Sequence, residues 1–482
     1  MMRNGWSDLA VEIDRTSAVP IYRQIVERLR ELILTGALPE GTRLPPERSL
    51  AAVLTVNRST VVHAYRDLAV SGLIDQRVGS GSRVAVLEPD HPERSAVVPW
   101  WQTLPPWRSG RPPALLEELA AVERRDRIAF VAGIPPPDPS PHGDLGRSFA
   151  RVAENHRAVA GYGESEGYPP LREAIAERLR FRGVRSTAAD VLVLTGSTQG
   201  IALVAQALAE PGDEIVVEAP TYPGALQIFA VQGLRAVAVP VDESGLRVDH
   251  LEAVLSARRP RFIYTMPALH NPTGVTLSEA RRERLIALAA RAGVPIVEDD
   301  PYGDLAPAHS TPLVARNPAG VIHLGSFSKT IAPSLRLGYA CAPRTIYERL
   351  RLRKQAGDLA TSMYVQAAVR DYLLTVYDAH LPRLRAELEA RRAVALDAVD
   401  TYWPASMHIV RNGSGFYLWV TAPDGVRASA LLEAAERRGA SFLCGEPFFA
   451  PPGGERNFRL AITPMPAAAI AEGIRRIGSA LG

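Results

Sequence analysis

Between residues 191 and 342 the chain repeats one pattern, and that pattern leaves few folds open. Short apolar runs lie at 191–195, 214–218, 236–241, 262–266, 295–298, 321–324 and 339–342, with stretches of helical period such as 278–292 between several of them. Apolar strands alternating with amphipathic helices predict an α/β domain, a mostly parallel sheet covered by helices on both faces. The binding crevice of such a sheet lies at the carboxyl ends of its strands. The polar clusters of this chain fall at those ends.

The most informative cluster is Val321-Ile-His-Leu-Gly-Ser-Phe-Ser-Lys329-Thr-Ile-Ala-Pro-Ser-Leu-Arg336-Leu-Gly338. A lysine at the end of a buried strand is poorly hydrated, which lowers the pKa of its amine. A neutral amine is the form that attacks an aldehyde, so Lys329 suits a Schiff base. Ser326, Ser328 and Arg336 suit a phosphate, the arginine through forked charge-assisted bonds. Taken alone, the stretch also reads as a surface lysine in a polar loop. Composition tilts the balance toward the first: of 55 lysines and arginines only Lys329 and Lys354 are lysine, leaving 53 arginines. A chain so poor in lysine keeps one here for its chemistry.

Other strand ends carry matching groups. Thr195-Gly196-Ser197-Thr198-Gln199-Gly200 opens a helix, where free N–H groups and two hydroxyls, those of Ser197 and Thr198, make an anion site. Tyr222 follows the second run and suits stacking on a flat ring; Asn271 follows the fourth and suits a ring oxygen. The fifth ends in Glu298-Asp299-Asp300-Pro301-Tyr302. Adjacent buried carboxylates repel and require a cation nearby, and a protonated pyridine nitrogen is one. A metal is the rival partner, but no histidine or further acid lies close in sequence, so no metal site is expected.

The N-terminal part has a different build. Ile21, Ile25, Leu29, Leu32 and Ile33 recur at helical spacing; a second short helix is predicted over 44–54 and a third from Arg58, with Asn57 as its N-cap. Two strands at 73–78 and 83–86 flank Gly79-Ser-Gly81. Helix, helix-turn-helix and hairpin in this order make an α+β winged helix-turn-helix. Arg58, Ser59 and Thr60 begin the third helix, the end that enters a DNA major groove, while Arg48, Gly81 and Arg83 suit its backbone. Charge does not decide the matter, since residues 17–86 hold nine arginines against six acids. The blocks Leu44-Pro-Pro-Glu-Arg-Ser-Leu-Ala, Asn57-Arg-Ser-Thr-Val-Val, Ser71-Gly-Leu-Ile and Gly79-Ser-Gly resemble the GntR-type DNA-binding head, in the same order.

Residues 87–114 mix prolines and arginines with Trp100, Trp101 and Trp107 and show no period; they read as a semi-stiff linker, with a helix expected over 115–125. The segment Ile128-Ala-Phe-Val-Ala-Gly133-Ile-Pro is expected to open the large domain. Cys341 and Cys444 lie in unrelated contexts, and no apolar run reaches membrane-spanning length. A reducing cytoplasm is the expected compartment.

From about residue 128 onward these motifs resemble a fold-type-I aminotransferase dependent on pyridoxal 5′-phosphate. With the head included, the chain resembles the MocR/GabR-type regulators. The resemblance implies three parts: a head at 17–86, the linker, and an aminotransferase-like domain at 115–482 whose smaller α+β subdomain covers about 380–482. It implies that Lys329 carries the cofactor as a Schiff base, that Asp299 pairs with the pyridine nitrogen, and that Tyr222 stacks on the ring. Asn271 and Tyr302 go to the ring oxygen, and Ser197, Thr198, Ser326, Ser328 and Arg336 to the phosphate. Tyr162 reaches the phosphate of a partner subunit in a homodimer, while Gly133 and Arg459 meet a substrate carboxylate. Glu298-Asp-Asp-Pro-Tyr-Gly-Asp-Leu resembles the aminoadipate-type aminotransferases as much as the regulators. Three readings follow: a DNA-binding transcription regulator that senses an amino compound or pyridoxal 5′-phosphate, a working aminotransferase with a DNA-binding head, and a DNA-binding protein that keeps the aminotransferase fold only as a dimerising scaffold. A scaffold has no need of the lysine, aspartate and arginine set.

Overall fold

The computed structural model describes residues 13–85 and 127–481, apart from 16, 18, 35–36, 40, 78–80, 140, 155–158 and 307–309. The expected linker at 87–114 and the helix at 115–125 lie outside the described residues. The chain divides into two compact units after Pro106.

In the first unit the apolar stripe of the helix Ile21–Leu34 turns Ile25, Leu29 and Ile33 inward. They pack on Leu50 of the helix Glu47–Leu54 and on Val61, Ala64, Tyr65 and Leu68 of the helix Arg58–Val70. Asn57 caps the third helix, its side chain accepting from Ser59 N at 3.3 Å. The strands Ile74–Arg77 and Gly81–Val84 pair antiparallel as the wing. The second helix starts three residues later than the expected 44, for a physical reason. Pro45 and Pro46 have no N–H to place inside a helix, and Leu44 N instead donates to Ser82 O at 2.9 Å, tying the segment to the hairpin. Arg43 forms a bridge with Arg83 beside it.

The second unit holds an eight-stranded sheet. Its order is Val191–Leu194, Gly338–Cys341, Val321–Ser326, Ile296–Asp300, Ile263–Thr265, Glu214–Ala219, Arg235–Asp242 and Gly245–Leu246. Only Gly338–Cys341 and the short Gly245–Leu246 run against their neighbours. Each of the seven apolar runs forms a strand of this sheet. Strands such as Val191–Leu194 are buried at every position, which explains why they read as continuous apolar runs.

The long helix Tyr377–Tyr402 leads to a smaller sheet of His408–Ile409, Tyr417–Thr421, Asn457–Ala461, Ala440–Cys444 and Ile128–Phe130, with its own apolar core. Ile128–Phe130, the segment expected to open the large domain, runs parallel to Ala440–Phe442 at the edge of the small sheet. A three-residue strand carries too little pattern to say which sheet it joins. The consequence is functional: the segment after it, Val131 to Gly133, lines the large sheet's crevice. Among the described residues no helix is long and apolar enough to cross a membrane.

The buried Tyr65 hydroxyl donates to Pro45 O at 2.8 Å and so ties the third helix to the start of the second. Tyr65→Phe leaves that carbonyl buried without a donor, and we expect a loss of about 1–3 kcal/mol. Urea unfolding of the full chain reads it as an earlier transition of the N-terminal unit.

Candidate functional site

Alternation along Ile296–Asp300 sends its three acids to different fates. Glu298 accepts from Leu313 N at 2.7 Å, Val314 N at 3.2 Å and His323 Nδ1 at 2.9 Å. Asp300 pairs with Arg182 at 2.6 Å. The cation required by two adjacent carboxylates is therefore supplied, for Asp300, by an arginine that sequence spacing could not connect to it. Asp299 lines a cavity instead. Its Oδ2 accepts the Tyr264 hydroxyl at 2.6 Å, while its Oδ1 is buried with no partner. Burial pushes the Asp299 carboxyl up to about 7; the Tyr264 bond pulls it down and Asp300 adds to the rise. Desolvation, rather than repulsion by the neighbouring acid, is thus the larger cause.

An anion cradle forms at another side of the cavity. The helix Ser197–Leu208 starts at Gly196, which offers no side-chain cap, so the first N–H groups face the cavity with the Ser197 and Thr198 side chains. Gly196 has φ 85, and a Cβ there would come within 2.6 Å of Arg336 Nη2, so only glycine admits the guanidinium this close. Arg336 itself holds a left-handed backbone, φ 47 and ψ 51, at a cost of about 1–2 kcal/mol. Ser326 and Ser328 complete the cradle, Ser328 N donating to Ser326 Oγ at 3.2 Å.

Lys329 stands between these two ends, its Nζ donating to Gly133 O at 2.5 Å. Tyr222 and Tyr302 line the same space. Burial, with Asp299 adding to it, raises the Tyr222 hydroxyl above its ordinary range. Arg459 donates to Asn271 Oδ1 at 3.0 Å and to Val131 O at 2.6 Å, and its Nε is buried without a partner. Its guanidinium lies 4.3 Å from the centre of the Tyr417 ring. A Cβ on Gly133 would meet the Tyr417 hydroxyl at 2.1 Å, which explains the glycine.

The cavity, about 380 Å³, therefore gathers Ser197, Thr198, Tyr222, Asn271, Asp299, Tyr302, Ser326, Ser328, Lys329, Arg336, Arg459 and Gly133. Tyr162 is not among its lining residues; it is 97% exposed in the single chain. Sequence reasoning missed Tyr264 and Tyr417, both inside apolar strands where a tyrosine looks like core. Tyr417 shares a 2.8 Å hydrogen bond with Tyr302. Burial raises Tyr417, but Lys329 and Arg459 outweigh it and leave the hydroxyl below its ordinary range, whereas burial holds Tyr302 well above. Chemically, the cavity offers a buried acceptor lacking a donor, an amine, an anion cradle and a second, separate cation.

In the head, Arg48, Arg58, Ser59 and Arg83 are exposed and Thr60 is half-buried. Arg58 makes a 3.2 Å pair with Glu47, and Arg83 donates to Gly41 O at 3.2 Å. Gly81 has φ 82, and the guanidinium of Arg43, an arginine the sequence did not single out, lies 3.5 Å from where its Cβ would be.

Comparison with known proteins follows the same division. The family profile described as aminotransferase class I and II matches residues 141–477, and that described as bacterial regulatory proteins, gntR family, matches residues 21–84. The HTH-type transcriptional regulator TauR of Rhodobacter capsulatus is 33% identical over 96% of this chain and 96% of its own. The probable rhizopine catabolism regulatory protein MocR of Rhizobium meliloti is 32% identical over 91% of this chain and 90% of its own. The crystal structure of LysN, the α-aminoadipate aminotransferase of Thermus thermophilus, complexed with N-(5′-phosphopyridoxyl)-L-leucine, superposes with a TM-score of 0.74 at 34% identity. The match covers 79% of this chain and 98% of that one.

In the cofactor-free chain a carboxyl raised from 3.8 to about 7 binds its proton more tightly folded than unfolded. Its contribution to stability is full below pH 3.8 and is lost as the pH rises through about 7. Asp299→Asn removes that loss. Thermal melts of cofactor-free protein across this window should show the wild type losing stability relative to the variant as pH rises.

Proposed function

The chain belongs to the class I and II aminotransferase family and carries a head of the bacterial gntR regulatory family, and from that premise we propose that it is a DNA-binding transcription regulator dependent on pyridoxal 5′-phosphate, which senses an amino compound through the Lys329 cavity. The observation that carries the proposal is the unpartnered, buried Oδ1 of Asp299 in the same cavity as Lys329 and the Arg336 cradle. A protonated ring nitrogen fits the first, an aldehyde the second and a phosphate the third. Bound there, pyridoxal 5′-phosphate supplies an aldehyde that exchanges one amine for another.

The chain's own residues then have distinct tasks. Asp299 accepts from the ring nitrogen, and once paired with a cation its carboxyl no longer favours the proton. Ser197, Thr198, Ser326, Ser328 and Arg336 hold the phosphate. Tyr222 would stack on the ring, and Asn271 and Tyr302 would bond its hydroxyl. Lys329 would carry the cofactor's aldehyde carbon, and its amine can hold a proton at Gly133 O. Arg459 takes the effector's carboxylate, its unpartnered Nε being the donor still available, with Gly133 leaving room beside it. Tyr162, exposed in the single chain, completes the phosphate site of a neighbouring subunit in a homodimer.

In the head, Arg58, Ser59 and Thr60 meet base edges and phosphates in the major groove, while Arg48, Gly81 and Arg83 follow the backbone. An effector changes transcription only if it binds two states of the protein with different affinity. A second reading, catalytic transamination, is supported by the completeness of the cavity and by the likeness to LysN.

Binding of the cofactor-loaded protein to the DNA upstream of its own gene, titrated with a panel of amino acids and amines, separates the two. The regulator reading expects one compound to shift DNA affinity by about tenfold, and Arg459→Ala to abolish the shift for a carboxylate-bearing effector while cofactor binding stays. Unchanged DNA affinity across a saturating panel, with keto acid accumulating over many turnovers, would establish the enzyme instead.

A further inference from the structure

The second lysine has no part in the site as described so far. Lys354 lies in the helix Arg344–Asp358 and is fully buried, in a chain where every other basic side chain except Lys329 is an arginine or a histidine. Its Nζ donates to Asp358 Oδ1 at 2.9 Å. The other oxygen, Oδ2, accepts from Thr195 Oγ1 at 3.1 Å and from Gln199 Nε2 at 2.8 Å. Gln199 closes the loop, its Oε1 accepting from Thr195 N at 2.8 Å. Thr195 and Gln199 bracket the turn that presents Ser197 and Thr198 to the cradle.

Asp358 stands where a carboxylate is disfavoured on two counts. It is the last residue of a helix, at the end where the macrodipole is negative. It also bonds the turn whose Ser197 and Thr198 form the anion cradle, and an uncompensated negative charge there opposes anion binding. Lys354 cancels that charge. A compact ammonium suits a side chain with no exposed surface of its own, whereas the five donors of a buried guanidinium would need further partners. The next residue, Leu359, has φ 58 and ψ −65, a positive-φ backbone that a leucine keeps only where its surroundings impose it.

We propose that Lys354 and Asp358 form a positioning pair for the phosphate end of the cavity. Asp358 gathers residues 195–199 into the cradle, and Lys354 neutralises Asp358 so that the cradle keeps its affinity for an anion. The inference rests on the cofactor reading above and extends it to two residues that do not touch the ligand.

Absorbance titrations of the full chain with pyridoxal 5′-phosphate, and with pyridoxal, which lacks the phosphate, test it. Lys354→Met should weaken binding of the phosphorylated form about tenfold and leave pyridoxal within about twofold. Lys354→Met/Asp358→Asn should recover most of the loss, because asparagine keeps the shape and removes the unpaired charge. Equal losses for both ligands, no loss, or no recovery in the double variant would overturn the proposal. Should Lys354→Met fail to fold, Asp358→Ala carries the same comparison, since it releases the turn and must again affect only the phosphorylated ligand. If the wild type binds neither compound, the cofactor reading has failed. Protection against thermal unfolding by inorganic phosphate then decides the role of the pair, and equal protection in wild type and variant would contradict it.

Discussion

A carboxylate oxygen buried without a hydrogen-bond donor is expensive, and the Asp299 Oδ1 is one. The rest of the large domain is arranged so that this cost can be met from one direction only. Tyr264 occupies the other oxygen, Asp300 is turned away to Arg182, and Glu298 is consumed by His323 and two backbone amides. The Asp300 Oδ1 is also buried without a partner but does not line the cavity, whereas the Asp299 Oδ1 belongs to a residue that lines it together with an amine and an anion cradle. A cationic ring bearing an aldehyde and a phosphate satisfies all three at once. The same cavity sets apart a separate cation, Arg459, whose stacking on Tyr417 and bonds to Asn271 and Val131 hold it ready on the small sheet.

Much of this was legible in the sequence, for reasons that can be stated. Strands buried on both faces appear as continuous apolar runs, so seven strands of the large sheet announced themselves. Because the sheet is mostly parallel, the residues after those runs had to meet, and Ser197, Asn271, Asp299 and Lys329 did. The scarcity of lysine, joined to its place after a buried strand among serines, singled out Lys329. What was not legible depended on contacts distant in sequence. Arg182 reaches Asp300 across 118 positions, and nothing near either residue hints at the other. Tyr264 and Tyr417 sit within apolar strands and look like core. Ile128–Phe130 joins the small sheet because of its neighbour Ala440–Cys444, and three residues cannot reveal that. Lys354 illustrates the same limit: the scarcity that marked Lys329 marked it equally, but only the geometry ties it to Asp358 and the phosphate turn.

The head repeats the lesson at smaller scale. Its helices followed from apolar period and from Asn57, while the start of the second helix was displaced by two prolines and by the pairing of Leu44 with the wing. That pairing brings Arg43 beside Gly81 and Arg83, so the wing carries one more basic side chain than the sequence suggested.

The central claim is that Lys329 is the covalent anchor of the cofactor. With only two lysines in the chain, it can be tested without ambiguity. The protein loaded with pyridoxal 5′-phosphate is reduced with borohydride, digested and analysed by mass spectrometry. The account predicts the pyridoxyl-phosphate mass on the peptide containing Lys329 and none on the buried Lys354. A label on Lys354, or no label on either lysine after saturation with the cofactor, would contradict it.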